Sequence, residues 1–91
     1  MALCIYFPVK GMTAGRYDTV LQQLEDAGQG APAGRSYHCS FFVGEELHVV
    51  DVWDSHETFA AFGETLMPIL AANGVDPGEP MIGEVNRIIE G

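Results

Sequence analysis

The stretch from Leu47 to Phe62, LHVVDVWDSHETFAAF, joins an alternating strand to an amphipathic helix through a tight corner, Trp53-Asp54-Ser55. Strand side chains alternate, so Val49, Asp51 and Trp53 share one side while His48, Val50 and Val52 share the other. Asp54 or Ser55 supplies the oxygen that the orphan N–H groups of a helix start require, and Glu57 falls in the positively polarised first turn. Phe59, Phe62, Leu66 and Ile69 follow at helical spacing.

The rest of the chain is read around this junction. Residues 2–9 (ALCIYFPV) form a near-continuous apolar run of β-formers, a mostly buried first strand. Thr13 is a candidate N-cap for a first helix, with Met12 placed to pack on Tyr17 as a hydrophobic staple. Tyr17, Val20, Leu21 and Leu24 make its buried stripe, and Gly28 ends it. After a glycine-rich loop, residues 36–43 (SYHCSFFV) read as a second strand, turned into the third at Gly44-Glu45-Glu46. That loop lacks the pattern and the strand-to-helix context of a phosphate loop. Pro68 removes one helical donor and disfavours helical geometry at Met67, which predicts a kink or break in the second helix. Asn73-Gly74 caps that helix, Asp76-Pro77-Gly78 turns the chain, and residues 80–90 supply the last strand.

The order β-α-β-β-α-β is that of a split βαβ, ferredoxin-like α+β domain: a four-stranded antiparallel sheet, order 4-1-3-2, with both helices on one face. It spans residues 1–91 as a single domain. Cys4 and Cys39 then lie two strand spacings apart, about 9.6 Å, too far for a bridge, and are expected to be reduced. The face without helices should be polar. It is not: Tyr37, Phe41 and Val43 lie on one side of strand two and Phe42 on the other, so a second sheet is expected to pack there.

Composition agrees. A 91-residue chain hides only about 60–65% of its unfolded surface, yet 47% of these residues are hydrophobic and 10% aromatic. A homodimer is the expected outcome. Four Lys and Arg stand against thirteen Asp and Glu, a net charge of −9. This argues against nucleic acid and anionic membrane partners. The MALCIYFPVKG start has no basic leader, so a cytoplasmic location is the expectation.

These features resemble the dimeric α+β barrel superfamily and, within it, small proteins similar to antibiotic-biosynthesis monooxygenases. The resemblance is carried by Val52-Trp53-Asp54-Ser55 with Glu57, Phe59 and Phe62, by Leu66-Met67-Pro68-Ile69-Leu70, and by Glu84-Val85-Asn86. It implies a homodimer whose sheets pack into a barrel, with a hydrophobic pocket between sheet and helices in each subunit. Some members oxidise polycyclic aromatic molecules with O₂ and no metal or flavin, others degrade haem, and related branches cyclise or have no known activity. Haem-degrading members carry an aromatic residue where this chain has Phe62, and a histidine where it has Ala72. Haem degradation is therefore disfavoured and no cofactor is expected.

The hairpin offers one concrete site. With an even-length loop, Phe42 is expected to face Val49, Ser40 to face Asp51, and His38 to face Trp53. His38, Ser40, Asp51 and Trp53 then share one face, with His38 and Asp51 diagonal neighbours. In a functional reading His38 accepts a proton, Asp51 orients it, and Trp53 stacks on a planar substrate, while Phe62 and Tyr6 also line the pocket. The competing reading makes the group a polar cluster at a subunit interface, with Ser40 and His38 satisfying a buried Asp51. His48, near the hairpin tip, is expected to be solvated, and His56 sits in the first turn of the second helix. Three scattered histidines do not make a metal site. Arg35 and Arg87 are candidate holders of a substrate carboxylate, against simple pairing with the many acidic residues. The sequence thus suggests a cofactor-independent oxygenase, or a related proton-transfer enzyme, acting on a small hydrophobic or aromatic molecule. The alternative is a non-catalytic dimeric module that binds a small ligand or serves structure.

Overall fold

The computed structural model describes residues 2–91. Its elements run β1 (Leu3–Val9), α1 (Ala14–Asp26), β2 (Arg35–Val43), β3 (Glu46–Trp53), α2 (His56–Ala72) and β4 (Met81–Glu84). The four strands are antiparallel neighbours in the order β2-β3-β1-β4. This is the ferredoxin-like α+β arrangement expected from the alternation of strand and helix patterns.

Both helices begin on hydroxyl caps. Thr13 Oγ1 accepts from the Arg16 N–H at 3.1 Å, and Ser55 Oγ accepts from the Thr58 N–H at 3.2 Å. Thr58 also donates to Asp54 at 2.6 Å, so the corner residues Asp54 and Ser55 both hold the start of α2. Gly34 closes the corner from the other side. Its φ of +90° suits glycine alone, and a Cβ there would lie 2.5 Å from Thr58. Helix α2 runs unbroken through Pro68, contrary to the expected interruption. The carbonyl that Pro68 leaves without a donor belongs to Glu64, one turn back, and both residues are exposed, so that carbonyl is open to solvent.

The core lies between the helices and one face of the sheet. Ile5, Leu47 and Trp53 are inaccessible to solvent, and Val20, Leu24 and Phe62 reach them from the helices. Of the expected stripe on α1, Leu21 stays exposed.

Two further expectations are corrected. The β2–β3 register is shifted by two residues: His38 faces Asp51, Ser40 faces Val49 and Phe42 faces Leu47. The loop closes on Gly44 and Glu45, because Gly44 takes the positive φ (62°) that a two-residue turn needs at its first position. The last strand is shorter than residues 80–90. It ends at Glu84, opposite Leu3, where β1 itself begins. One more bond, Val85 N–H to the Ala2 carbonyl at 2.9 Å, closes that edge.

The face away from the helices remains uncovered. Tyr37, Phe41, Val43 and Met81 are exposed on it. Cys4 and Cys39 lie on the same face as free thiols. Among the described residues no helix is long and apolar enough to cross a membrane.

Candidate functional site

Where the two helices meet the sheet they leave a cavity of about 100 Å³. Its wall is mostly apolar, with polar groups where Tyr17 of α1 meets His38 and Asp51 of the sheet, and at Arg35. Alternation puts His38 and Asp51 on the helix-facing side, and the observed register sets them directly opposite each other.

The polar groups form a chain. His38 Nδ1 lies 2.5 Å from Asp51 Oδ1, the indole N–H of Trp53 donates to Asp51 Oδ2 at 3.3 Å, and the Tyr17 hydroxyl lies 2.7 Å from His38 Nε2. Asp51 is 4% exposed and is the one buried charged residue among those described. A carboxylate only accepts, so Nδ1 of His38 carries the hydrogen it donates. In the neutral imidazole Nε2 is then the acceptor, and the Tyr17 hydroxyl is its donor. No buried side-chain nitrogen or oxygen among the described residues lacks a partner. The chain therefore places a basic ring nitrogen, oriented by a buried carboxylate, at the edge of an apolar space.

The predicted site residues separate into two groups. His38, Asp51 and Phe62 border the cavity. Trp53 stands behind them. It is fully buried, packs its ring on Phe59 and Phe62 at 5.6 and 5.2 Å between centroids, and holds Asp51 rather than facing the cavity. Ser40 shares the helix-facing side with His38 but does not reach the cavity. Tyr6 is on the opposite face of the sheet, where its hydroxyl bonds His48 Nδ1. That bond also corrects the expectation for His48: it is not free in solvent but stacks between Tyr6 and Phe41 and lies 3.5 Å from Glu46.

Two more residues line the cavity: Tyr17, which the sequence reading did not place in the site, and Arg35, which it named only as a candidate holder of a carboxylate. Tyr17 was legible only as part of a helix stripe, although a tyrosine in place of an aliphatic residue there signals a hydroxyl needing a partner. Arg35 reaches the cavity because Ser36 is an extra residue in β2: Arg35 pairs with Trp53 while Tyr37 pairs with Val52. The bulge turns Arg35 to the helix side, where its guanidinium lies 5.8 Å from the Phe62 ring centroid. Its recorded hydrogen bond is to the Gly30 carbonyl, and among the described residues it pairs with no carboxylate. No group of three or more His, Cys, Asp or Glu side chains among the described residues gathers as metal ligands would.

Sheet order, helix placement and the cavity between them define a protein with the fold of the antibiotic-biosynthesis-monooxygenase-like group. Among solved structures it is similar to SnoaB, a cofactor-independent oxygenase from Streptomyces nogalater, with TM-score 0.62 and 17% identity over 97% of this chain and 94% of that one. It is also similar to a candidate antibiotic biosynthesis monooxygenase from Chloroflexus aurantiacus, with TM-score 0.61 and 15% identity over 98% and 95% of the two chains. A structural-genomics protein, YJCS, superposes with TM-score 0.69 at 11% identity over 94% of this chain and all of that one. At these identities the likeness is one of fold. No family model and no curated protein matches the chain in sequence.

Proposed function

We propose that this protein is a cofactor-independent monooxygenase, or a closely related proton-transfer enzyme, acting on a small hydrophobic or aromatic molecule. The observation that carries the reading is the Tyr17–His38–Asp51 chain on the wall of a mostly apolar cavity. Oxygenation without a cofactor requires a base that converts a substrate O–H or activated C–H into an electron-rich anion able to react with O₂. His38 is placed for that task, Asp51 stabilises the imidazolium it becomes, and Phe62 supplies an apolar wall for a ring. The fold likeness to a cofactor-independent oxygenase supports the same reading.

The working unit in this proposal is a homodimer, the second copy covering the apolar sheet face that carries Phe41 and Met81. The test is oxygen uptake by purified protein with a panel of phenols and hydroxyarenes, with ¹⁸O₂ used to trace the product. The proposal expects one labelled oxygen atom in the product and loss of uptake in His38→Asn. Uptake by no member of the panel, or equal uptake by the variant, speaks for a binding module.

A further inference from the structure

On the reading that His38 is the base, we propose that Tyr17 is the catalytic residue that touches the substrate, relaying the proton of a single-ring phenol to His38.

The geometry leaves His38 no free basic atom to offer. Nδ1 is committed to Asp51 and Nε2 is 2.7 Å from the Tyr17 hydroxyl, with the two rings nearly parallel at 7°. Tyr17 and His38 both line the cavity, and the acceptor nitrogen of His38 is already taken by the Tyr17 hydroxyl, so a substrate O–H finds its open acceptor on Tyr17. A tyrosine hydroxyl that donates to a histidine keeps lone pairs with which to accept a second hydrogen bond. The substrate O–H supplies that bond. As its proton passes to Tyr17 Oη, the original Tyr17 proton passes to His38 Nε2. The substrate O–H bond breaks, the Tyr17 O–H bond is broken and remade, and the Nε2–H bond forms. The products are a substrate phenolate, a neutral tyrosine and an imidazolium facing Asp51. No electron is transferred in this step.

Size sets the substrate class. The cavity of about 100 Å³ is smaller than the engineered apolar cavity of about 150 Å³ that takes up benzene. Its rim includes Leu21 and Met67, which are exposed and free to yield by a rotamer change. Displacing them admits one ring, whereas a fused polycycle would require the helices to part. The other walls, Phe62 and Leu66 among them, are apolar and suit a ring face.

The probe for this is 4-nitrophenol, whose anion is distinguished from the neutral phenol by its visible absorption. At a pH where the free probe is neutral, the wild type is expected to bind it as the anion. Tyr17→Phe is expected still to bind the probe, more weakly, and to lower the bound ionised fraction by about tenfold or more, the equivalent of one unit of acidity. Tyr17→Met repeats the test in a second background, and thermal melts confirm that both variants fold. If His38→Asn abolishes ionisation and neither Tyr17 variant does, the relay is overturned and His38 remains the base. If the wild type binds the probe and leaves it neutral, the base reading falls and the relay with it. Absence of binding by the wild type overturns the single-ring phenol assignment.

Discussion

His38 lies directly across the β2–β3 ladder from Asp51, with Nδ1 and Oδ1 2.5 Å apart. The pairing has a structural and a chemical side. It satisfies a carboxylate that is 4% exposed, and it fixes the histidine tautomer so that the acceptor nitrogen faces Tyr17.

The structural side predicts the cost of removing the carboxylate. Asp51→Ala leaves the Trp53 indole N–H and the His38 Nδ1–H without their acceptor. Each buried group left unsatisfied costs about 1–3 kcal/mol. Urea denaturation should show a lower midpoint with an unchanged slope, and a midpoint equal to the wild type would contradict the burial described for this chain.

Gly34 carries a second stability prediction. Alanine there meets Thr58 at 2.5 Å and Asp54 Oδ1 at 2.7 Å, at a φ of +90°. Strain of this kind costs about 1–3 kcal/mol, and the clash adds to it at the corner that starts α2. Gly34→Ala should therefore melt several degrees lower, whereas Gly44→Ala, with open space around its Cβ position, pays mainly for its backbone conformation. Equal melting temperatures for the two variants would remove the corner argument.

Pro68 provides a prediction of opposite sign. It sits exposed inside an unbroken helix, where proline is about 3 kcal/mol less favourable than alanine. Pro68→Ala restores a donor to the Glu64 carbonyl and should raise the melting temperature. A decrease would mean that the proline ring makes an apolar contact worth more than the helix it disfavours.

The uncovered sheet face predicts association. Static light scattering at micromolar concentration should give twice the chain mass of 9.8 kDa. Phe41→Lys, on an exposed position of that face, should shift the protein toward monomer while leaving the helix-side cavity intact. A wild-type monomer would reject the dimer outright.

Much of the fold was legible in the sequence because it rests on local patterns: the apolar run of β1, the alternation of β3, the hydroxyl caps Thr13 and Ser55, and the glycines that end each helix. What stayed hidden was set by contacts distant in sequence. The ladder register turned on which loop residue takes positive φ, and β4 ended opposite the first residue of β1. The site was legible in part for the same reason. Strand alternation put His38, Asp51 and Trp53 on one face, but only helix packing could show that Tyr17 completes the chain and that Trp53 stands behind it. The bulge at Ser36 that brings in Arg35 has no local signature, and the exclusion of Tyr6 follows from which face the helices cover.

The most direct test of the central claim compares O₂-dependent turnover in the wild type and His38→Asn, with melting temperature and mass measured on the same samples. Asparagine keeps an N–H donor for Asp51 and lacks a basic ring nitrogen. The account predicts a folded variant of unchanged oligomeric state whose turnover falls by about 10²-fold or more, the range of general base catalysis. Turnover within a few-fold of the wild type would contradict it and leave His38 a structural partner of Asp51.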